Sequence, residues 1–294
     1  MTWAGAVLLV LAAAATAVGA EAPIATPPPP AAAAPTPGPG SAPPAPTTPG
    51  SVPQSLDPAI QESTQRYNAG VGALQRRDLE SALYQFRQAI QLNPTLTEAH
   101  HNLGIALLEA RQPAQAAEAF TRALELSPDH PEARLGLGLA YRAGGEYTRA
   151  IAELAQVVSR KADDRELHIV LGDLFRRTAQ PQSAAAQFRE AARLATGDAS
   201  IRFQLGLAYA EAGETDLAIA AFRDAIALGP EEADAYYNLG VAYVQKAQLS
   251  RVEEKRALLQ LALDEFRLFQ QFASQDPTAA AAAHNVRALE PQVK

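Results

Sequence analysis

A chain of 294 residues, 48% hydrophobic and 19% charged, has enough apolar content for one large packed domain or two ordinary ones. Much of that content is alanine, which favours helix over sheet. A formal net charge of −7 excludes general nucleic-acid binding and charge-driven binding to anionic membranes, and the lack of cysteine excludes disulfides, thiolate metal sites and a thiol nucleophile.

Residues 1–20 hold no charged side chain and end in Val18-Gly19-Ala20, a small-residue pattern like a signal-peptidase site. They are expected to be a secretory signal peptide cleaved after Ala20, which would place the protein in the periplasm or outside the cell. The apolar run has no Lys or Arg before it, and the other reading is an uncleaved membrane anchor, since about 20 residues can just span a bilayer. Residues 21–56 contain thirteen prolines and a single charge, Glu21. Proline fixes φ and removes donors, so this segment is expected to be a disordered linker reaching on the order of 100 Å.

From residue 57 the chain repeats. Gly70, Gly104, Gly138, Gly172, Gly206 and Gly240 are each 34 residues apart. The residue before each is Ala69, Leu103, Leu137, Leu171, Leu205 or Leu239, and three residues after each stands Ala73, Leu107, Tyr141, Phe175, Tyr209 or Tyr243. This is the i, i+4 apolar face of a helix, with glycine where a neighbouring helix passes too close for a side chain. A second set begins at Ala82, Ala116, Ala150, Ala184 and Ala218, followed four residues later by Phe86, Phe120, Leu154, Phe188 and Phe222. Three beyond those come Ala89, Ala123, Val157, Ala191 and Ala225. This is a second amphipathic helix whose small residues let its partner approach. Gly144-Gly145, Gly213, Gln112-Pro113 and Gln180-Pro181 break the pattern between the two sets, and Pro113 and Pro181 suit the first turn of a helix. Each unit is thus a helix–turn–helix hairpin, which must stack on its neighbours to bury its apolar face.

The sixth unit starts normally at Tyr236-Tyr237-Asn238-Leu239-Gly240, but its second helix is displaced by about ten residues. Ser250 to Glu253 reads as a capping box opening a helix toward Ser274, with Leu259, Ala262, Phe266 and Phe269 on one face. Asp276-Pro277 is expected to start a last capping helix, as Asp57-Pro58 starts the first.

Period, glycine column, alanine column and the closing Pro94, Pro128 and Pro230 together resemble the tetratricopeptide repeat, densely over residues 58–230 and loosely over 233–290. Units three and four depart from it, with Ala162 and Thr196 in place of the closing proline. The resemblance implies an all-α, right-handed superhelical solenoid of about six hairpins over residues 57–290. The units are 63–96, 97–130, 131–164, 165–198, 199–232 and 233–276, the last with an insertion, and a capping helix spans 277–290.

The resemblance also implies a protein–protein interaction scaffold, the alternative being a membrane-tethered co-chaperone or structural spacer without a dedicated peptide ligand; the residues themselves offer no catalytic, cofactor or metal constellation, so no enzyme is expected. The partner is expected to be a segment of another protein held in the groove lined by the first helices. Two columns there would face the groove: Tyr67, His101, Leu135, Ile169, Phe203 and Tyr237, and, four residues on, Val71, Ile105, Leu139, Asp173, Leu207 and Val241. Asn68, Asn102 and Asn238 flank the stripe, and Arg142, Arg176 and Arg177 add positive charge beside Asp173. The competing reading packs part of the stripe between adjacent first helices. A further column, Arg66, His100, Arg134, His168, Arg202 and Tyr236, reads either as snorkelling stems at a solvent edge or as a cationic ridge.

Overall fold

The computed structural model describes residues 57–230, 233–272 and 278–293. The expected leader, the linker and the Asp276-Pro277 helix start lie outside the described residues. Thirteen helices and no strand occur among the described residues. They are α1 (Pro58–Gln75), α2 (Leu79–Leu92), α3 (Thr97–Glu109), α4 (Pro113–Leu126), α5 (Pro131–Ala143), α6 (Tyr147–Arg160) and α7 (Arg165–Arg177), continuing with α8 (Pro181–Leu194), α9 (Ala199–Glu211), α10 (Thr215–Leu228), α11 (Ala233–Leu249), α12 (Val252–Phe272) and α13 (Ala279–Val293). They form two compact units whose boundary, between Gly136 and Leu137, falls inside α5.

Aspartate caps start four of the helices, whereas Glu146 and Glu214 stand at N-caps without a side-chain cap bond. Asp57, Asp78, Asp164 and Asp198 accept from backbone N–H groups two or three residues on, at 2.9–3.1 Å. Pro113 and Pro181 occupy the first turns of α4 and α8. The expected capping box at Ser250 does not form. Its hydroxyl donates back to the Lys246 carbonyl at 2.9 Å, and the Arg251 carbonyl opens α12 by accepting from Glu254 and Lys255. The serine sits too close behind α11 and finishes that helix instead.

The turns inside the hairpins obey one rule. The N–H groups of Asp78, Gln112, Glu146, Gln180 and Glu214 each donate to a carbonyl five residues back, and the preceding residue donates three back. This Schellman closure demands a left-handed residue, and Arg77, Arg111, Gly145, Ala179 and Gly213 all have positive φ. Left-handed geometry costs an L-residue roughly 1–2 kcal/mol. Ala179→Gly is therefore expected to stabilise the α7–α8 hairpin by about 0.5–1 kcal/mol, partly offset by the freer unfolded chain. Slower amide exchange across α7 and α8 would register it.

The glycine column explains the packing. A Cβ built on Gly70 or Gly104 would lie 2.6–2.8 Å from the ring of Phe86 or Phe120 of the same hairpin. In the second unit Gly172 and Gly206 meet Phe188 and Phe222 at 2.8 and 2.6 Å, while Gly138 meets Leu154 at 2.5 Å. What comes too close is thus one side chain from the second helix, seated on bare backbone of the first. Each of these rings is fully buried, with the alanines one turn to either side of it buried too. The sixth hairpin keeps the contact despite its insertion: Gly240 meets Phe266, 26 residues on rather than 16. The register survives because the extra residues lengthen both antiparallel helices, α11 to 17 residues and α12 to 21, against 13 and 14 in the preceding hairpin.

The first and last described helices differ from the inner ones. Gln65 and Ala69 are exposed where later repeats bury Ala99, Ala133, Leu167, Ile201 or Ala235, and Leu137, Leu171, Leu205 or Leu239. This gives α1 the polar outer face a terminal repeat requires. At the other end α13 lays Ala282 and Leu289 against the last hairpin.

Candidate functional site

In the first unit most of the expected stripe is interior. Tyr67 is buried with its ring 6.1 Å from Phe86, and its hydroxyl accepts from Asn102 Nδ2 at 3.0 Å. Burial, with Glu98 nearby, pushes the Tyr67 phenol above its ordinary range. Asn102 is 1% exposed and its Oδ1 has no hydrogen-bond partner among the described residues. Ile105 is fully buried, and His101 is buried between the rings of Phe120 at 5.7 Å and His130 at 4.9 Å. Val71 and Leu135 are half-buried and Asn68 is exposed. Tyr67, His101, Asn102 and Ile105 therefore pack as core between first helices.

Burial, reinforced by the neighbouring His130 and only partly opposed by Glu132 and Asn102, holds His101 down to a pKa of about 4. The unfolded histidine titrates near 6.5, so between those values the unfolded chain binds the extra proton. Stability is whole above pH 6.5 and is lost as pH falls toward 4, by up to about 3 kcal/mol. His101→Gln is expected to flatten that decline, read as the pH dependence of amide-exchange protection in α3 and α4.

In the column Arg66, His100, Arg134, His168, Arg202 and Tyr236, the second to fourth residues are staples, while Arg202 lies 3.8 Å from Asp224. His100 Nε2 bonds the Pro94 carbonyl at 3.0 Å, Arg134 Nη2 the Pro128 carbonyl at 3.0 Å, and His168 Nε2 the Ala162 carbonyl at 3.1 Å. In each case the side chain reaches six residues back and closes the turn between hairpins. His168 also reaches Gln187 at 2.8 Å, while Arg66 pairs with Glu62 and Tyr236 stacks on Phe272. Solvent-directed snorkelling does not describe His100 and His168, which are buried with a ring nitrogen on a backbone carbonyl.

In the second unit the stripe is different. Leu139 is buried, but Ile169, Asp173, Phe203, Leu207, Tyr237 and Val241 are half-buried. Helices α9 and α11 lie side by side, so Phe203 and Leu207 of one stand near Tyr237 and Val241 of the other. The two rings are anchored from below: Phe203 on Phe222 at 5.8 Å, Tyr237 on Phe266 and Phe269 at 5.5 and 5.4 Å. Asn238 spends its amide on the Asp234 carbonyl of its own helix at 2.8 Å.

Charge borders these apolar residues. Arg177 Nε pairs with Asp173 at 2.9 Å, and its guanidinium lies 5.6 Å from the Tyr147 ring centre. Arg176 forms a forked ion pair with Glu211 and donates to Gln204 Oε1 at 2.8 Å. Arg142 is half-buried, and desolvation lowers its guanidinium pKa against the pull of Asp173. Gln204, Glu211 and Tyr147 were absent from the sequence reading. Arg176 and Glu211 stand 35 residues apart, one repeat plus one. Pairing charges at about the repeat spacing would have found them.

Residues 107–174 match the tetratricopeptide repeat family, and residues 74–110 and 206–246 match a second description, TPR repeat. No curated protein matches the chain. Among solved structures it is similar to YrrB, described as a TPR protein with an unusual peptide-binding site, at 26% identity and a TM-score of 0.57, covering 68% of this chain and 97% of that one. A MamA crystal structure aligns at 26% identity and 0.51, covering 59% and 95%. MamA residues 41-end from Desulfovibrio magneticus RS-1 align at 22% and 0.51, covering 61% and 97%, a likeness of fold alone. The chain carries tetratricopeptide repeats, and its fold is the all-α stacked-hairpin solenoid of such proteins.

Proposed function

We propose that this chain is a protein–protein interaction scaffold of the bacterial envelope, exported on residues 1–20, that holds a segment of another protein against the first helices of its second unit. The observation that carries this reading is the half-buried set Phe203, Leu207, Tyr237 and Val241, on two neighbouring helices and backed by fully buried rings. Apolar side chains lined up at a surface normally mark a contact surface. The aromatic anchors are rigid, so ordering them on binding costs little. Arg176 and Arg177 are already paired with Glu211 and Asp173, so the partner segment is expected to bind chiefly through apolar side chains. The peptide-binding site named for the similar YrrB structure agrees with this reading.

A photo-crosslinking residue at Leu207 or Tyr237 is expected to trap a protein in the native cell. The same residue at Ala220, exposed on α10, serves as the control. Adding Val241→Asp should abolish the Leu207 product. Equal trapping from all three positions would sink the proposal. N-terminal sequencing of the cellular protein tests export separately, with a mature start at Glu21 expected.

A further inference from the structure

We propose that the projecting end of the α11–α12 hairpin is a self-association site, pairing two copies of this chain through Leu249 and Val252. The surface arises from the sixth-repeat insertion. Relative to the preceding hairpin, α11 runs on by four residues and α12 begins seven earlier, lengthening the hairpin end by about 6–10 Å at 1.5 Å per residue. Every residue from Arg251 to Ala257 is exposed. At this end Leu249 is 85% exposed and Val252 is 86%, the highest values among the exposed large hydrophobic residues. One exposed leucine needs no explanation. Two apolar residues three apart in sequence at the tip of an extension are different: Ala247 and Leu258 farther back serve the core, whereas Leu249 and Val252 do not, and insertions into repeats often build the binding face.

The charges identify the occupant. Arg251, Glu253, Glu254 and Lys255 follow one another around the apolar pair, two basic and two acidic. None of these four pairs with a described residue, whereas Arg256 is tied to the Val293 carbonyl at 2.8 Å. A two-fold interface sets a patch against itself, so the patch must carry both signs. This one does: the acids of one copy meet the bases of the other across the Leu249–Val252 contact. An anionic bilayer or a partner of one charge sign would be repelled by half of the same residues. The contact is small beside the roughly 800 Å² per partner of a stable interface, so the pairing is weak and salt-sensitive. Its effect would be to present two partner-binding stripes at once, raising avidity without a new contact to the partner.

The chain has no cysteine, so one introduced thiol reports its own proximity to a second copy. Val252→Cys in the full chain, under mild oxidation, is expected to give a covalent dimer. Tyr84→Cys, placed at an exposed site on α2, is expected to give several-fold less. Adding Leu249→Asp should remove the Val252→Cys dimer without changing the circular dichroism. The charge-swapped chain Glu253→Lys/Glu254→Lys should cross-link poorly with itself and well with Arg251→Glu/Lys255→Glu, both carrying the cysteine. No dimer from Val252→Cys, or an equal yield from Tyr84→Cys, overturns the proposal. So does persistence of the dimer with Leu249→Asp.

Discussion

Phe222→Ala is expected to cost about 3–5 kcal/mol and to unfold the hairpins around it. The ring is fully buried and belongs to the cluster formed by Ala218, Ile219, Leu239, Ala242 and Tyr243. It also covers the bare backbone of Gly206 and supports Phe203, which is 5.8 Å away. Truncation leaves a cavity with glycine at its floor. Because repeat arrays gain most of their stability from nearest-neighbour contacts, the loss should be regional. Amide exchange should rise in α9, α10 and α11 first and leave α1–α4 near their original protection. The same substitution should also weaken partner capture, because Phe203 loses its support. Faster exchange spread evenly over all helices would contradict this local coupling.

The hairpins were legible because their signals are periodic and local. The 34-residue spacing, the paired apolar columns and the aspartate caps each state their geometry in the residue itself. The contacts between columns were less so. The sequence shows Gly206 and Phe222 recurring in step, yet not that the ring sits on the glycine, since that depends on how two helices cross. Left-handed turn residues were legible at Gly145 and Gly213 but not at Arg77, Arg111 and Ala179. There the Schellman hydrogen bonds impose a conformation the side chain does not advertise. His100 and His168 were hidden for a similar reason: their partners are backbone carbonyls, which every sequence has. The candidate site was half legible. The spacing places Val71, Ile105, Leu207 and Val241 in equivalent positions on first helices, but their exposure depends on what lies beside each helix. Ile105 is interior and Leu207 is not, and no property of either residue alone separates them.

Gly206→Leu should be nearly as damaging, and its size separates two roles of glycine. A helix-interior glycine costs about 1 kcal/mol relative to alanine, so propensity alone makes almost any replacement favourable. Geometry opposes it: the first added carbon would lie 2.6 Å from the Phe222 ring, which is fully buried and cannot swing aside. Even Gly206→Ala must push α9 and α10 apart, and leucine adds three more carbons to the same gap. Overpacking of this kind costs about 1–3 kcal/mol, toward the upper end or beyond for leucine after the propensity gain is subtracted. Gly213 lies in the next turn and supplies the control. An added carbon there meets nothing within 4 Å, but φ is +76°. Gly213→Ala should therefore cost only the left-handed penalty of about 1–2 kcal/mol, with the core unmoved. Near-ultraviolet dichroism and amide exchange distinguish the two. Gly206→Leu should disturb the aromatic signal and expose α9 and α10, while Gly213→Ala should shift only the midpoint of unfolding. If Gly206→Leu is as mild as Gly213→Ala, the ring-on-glycine contact does not hold the hairpin together, and the recurrence of that column needs another cause.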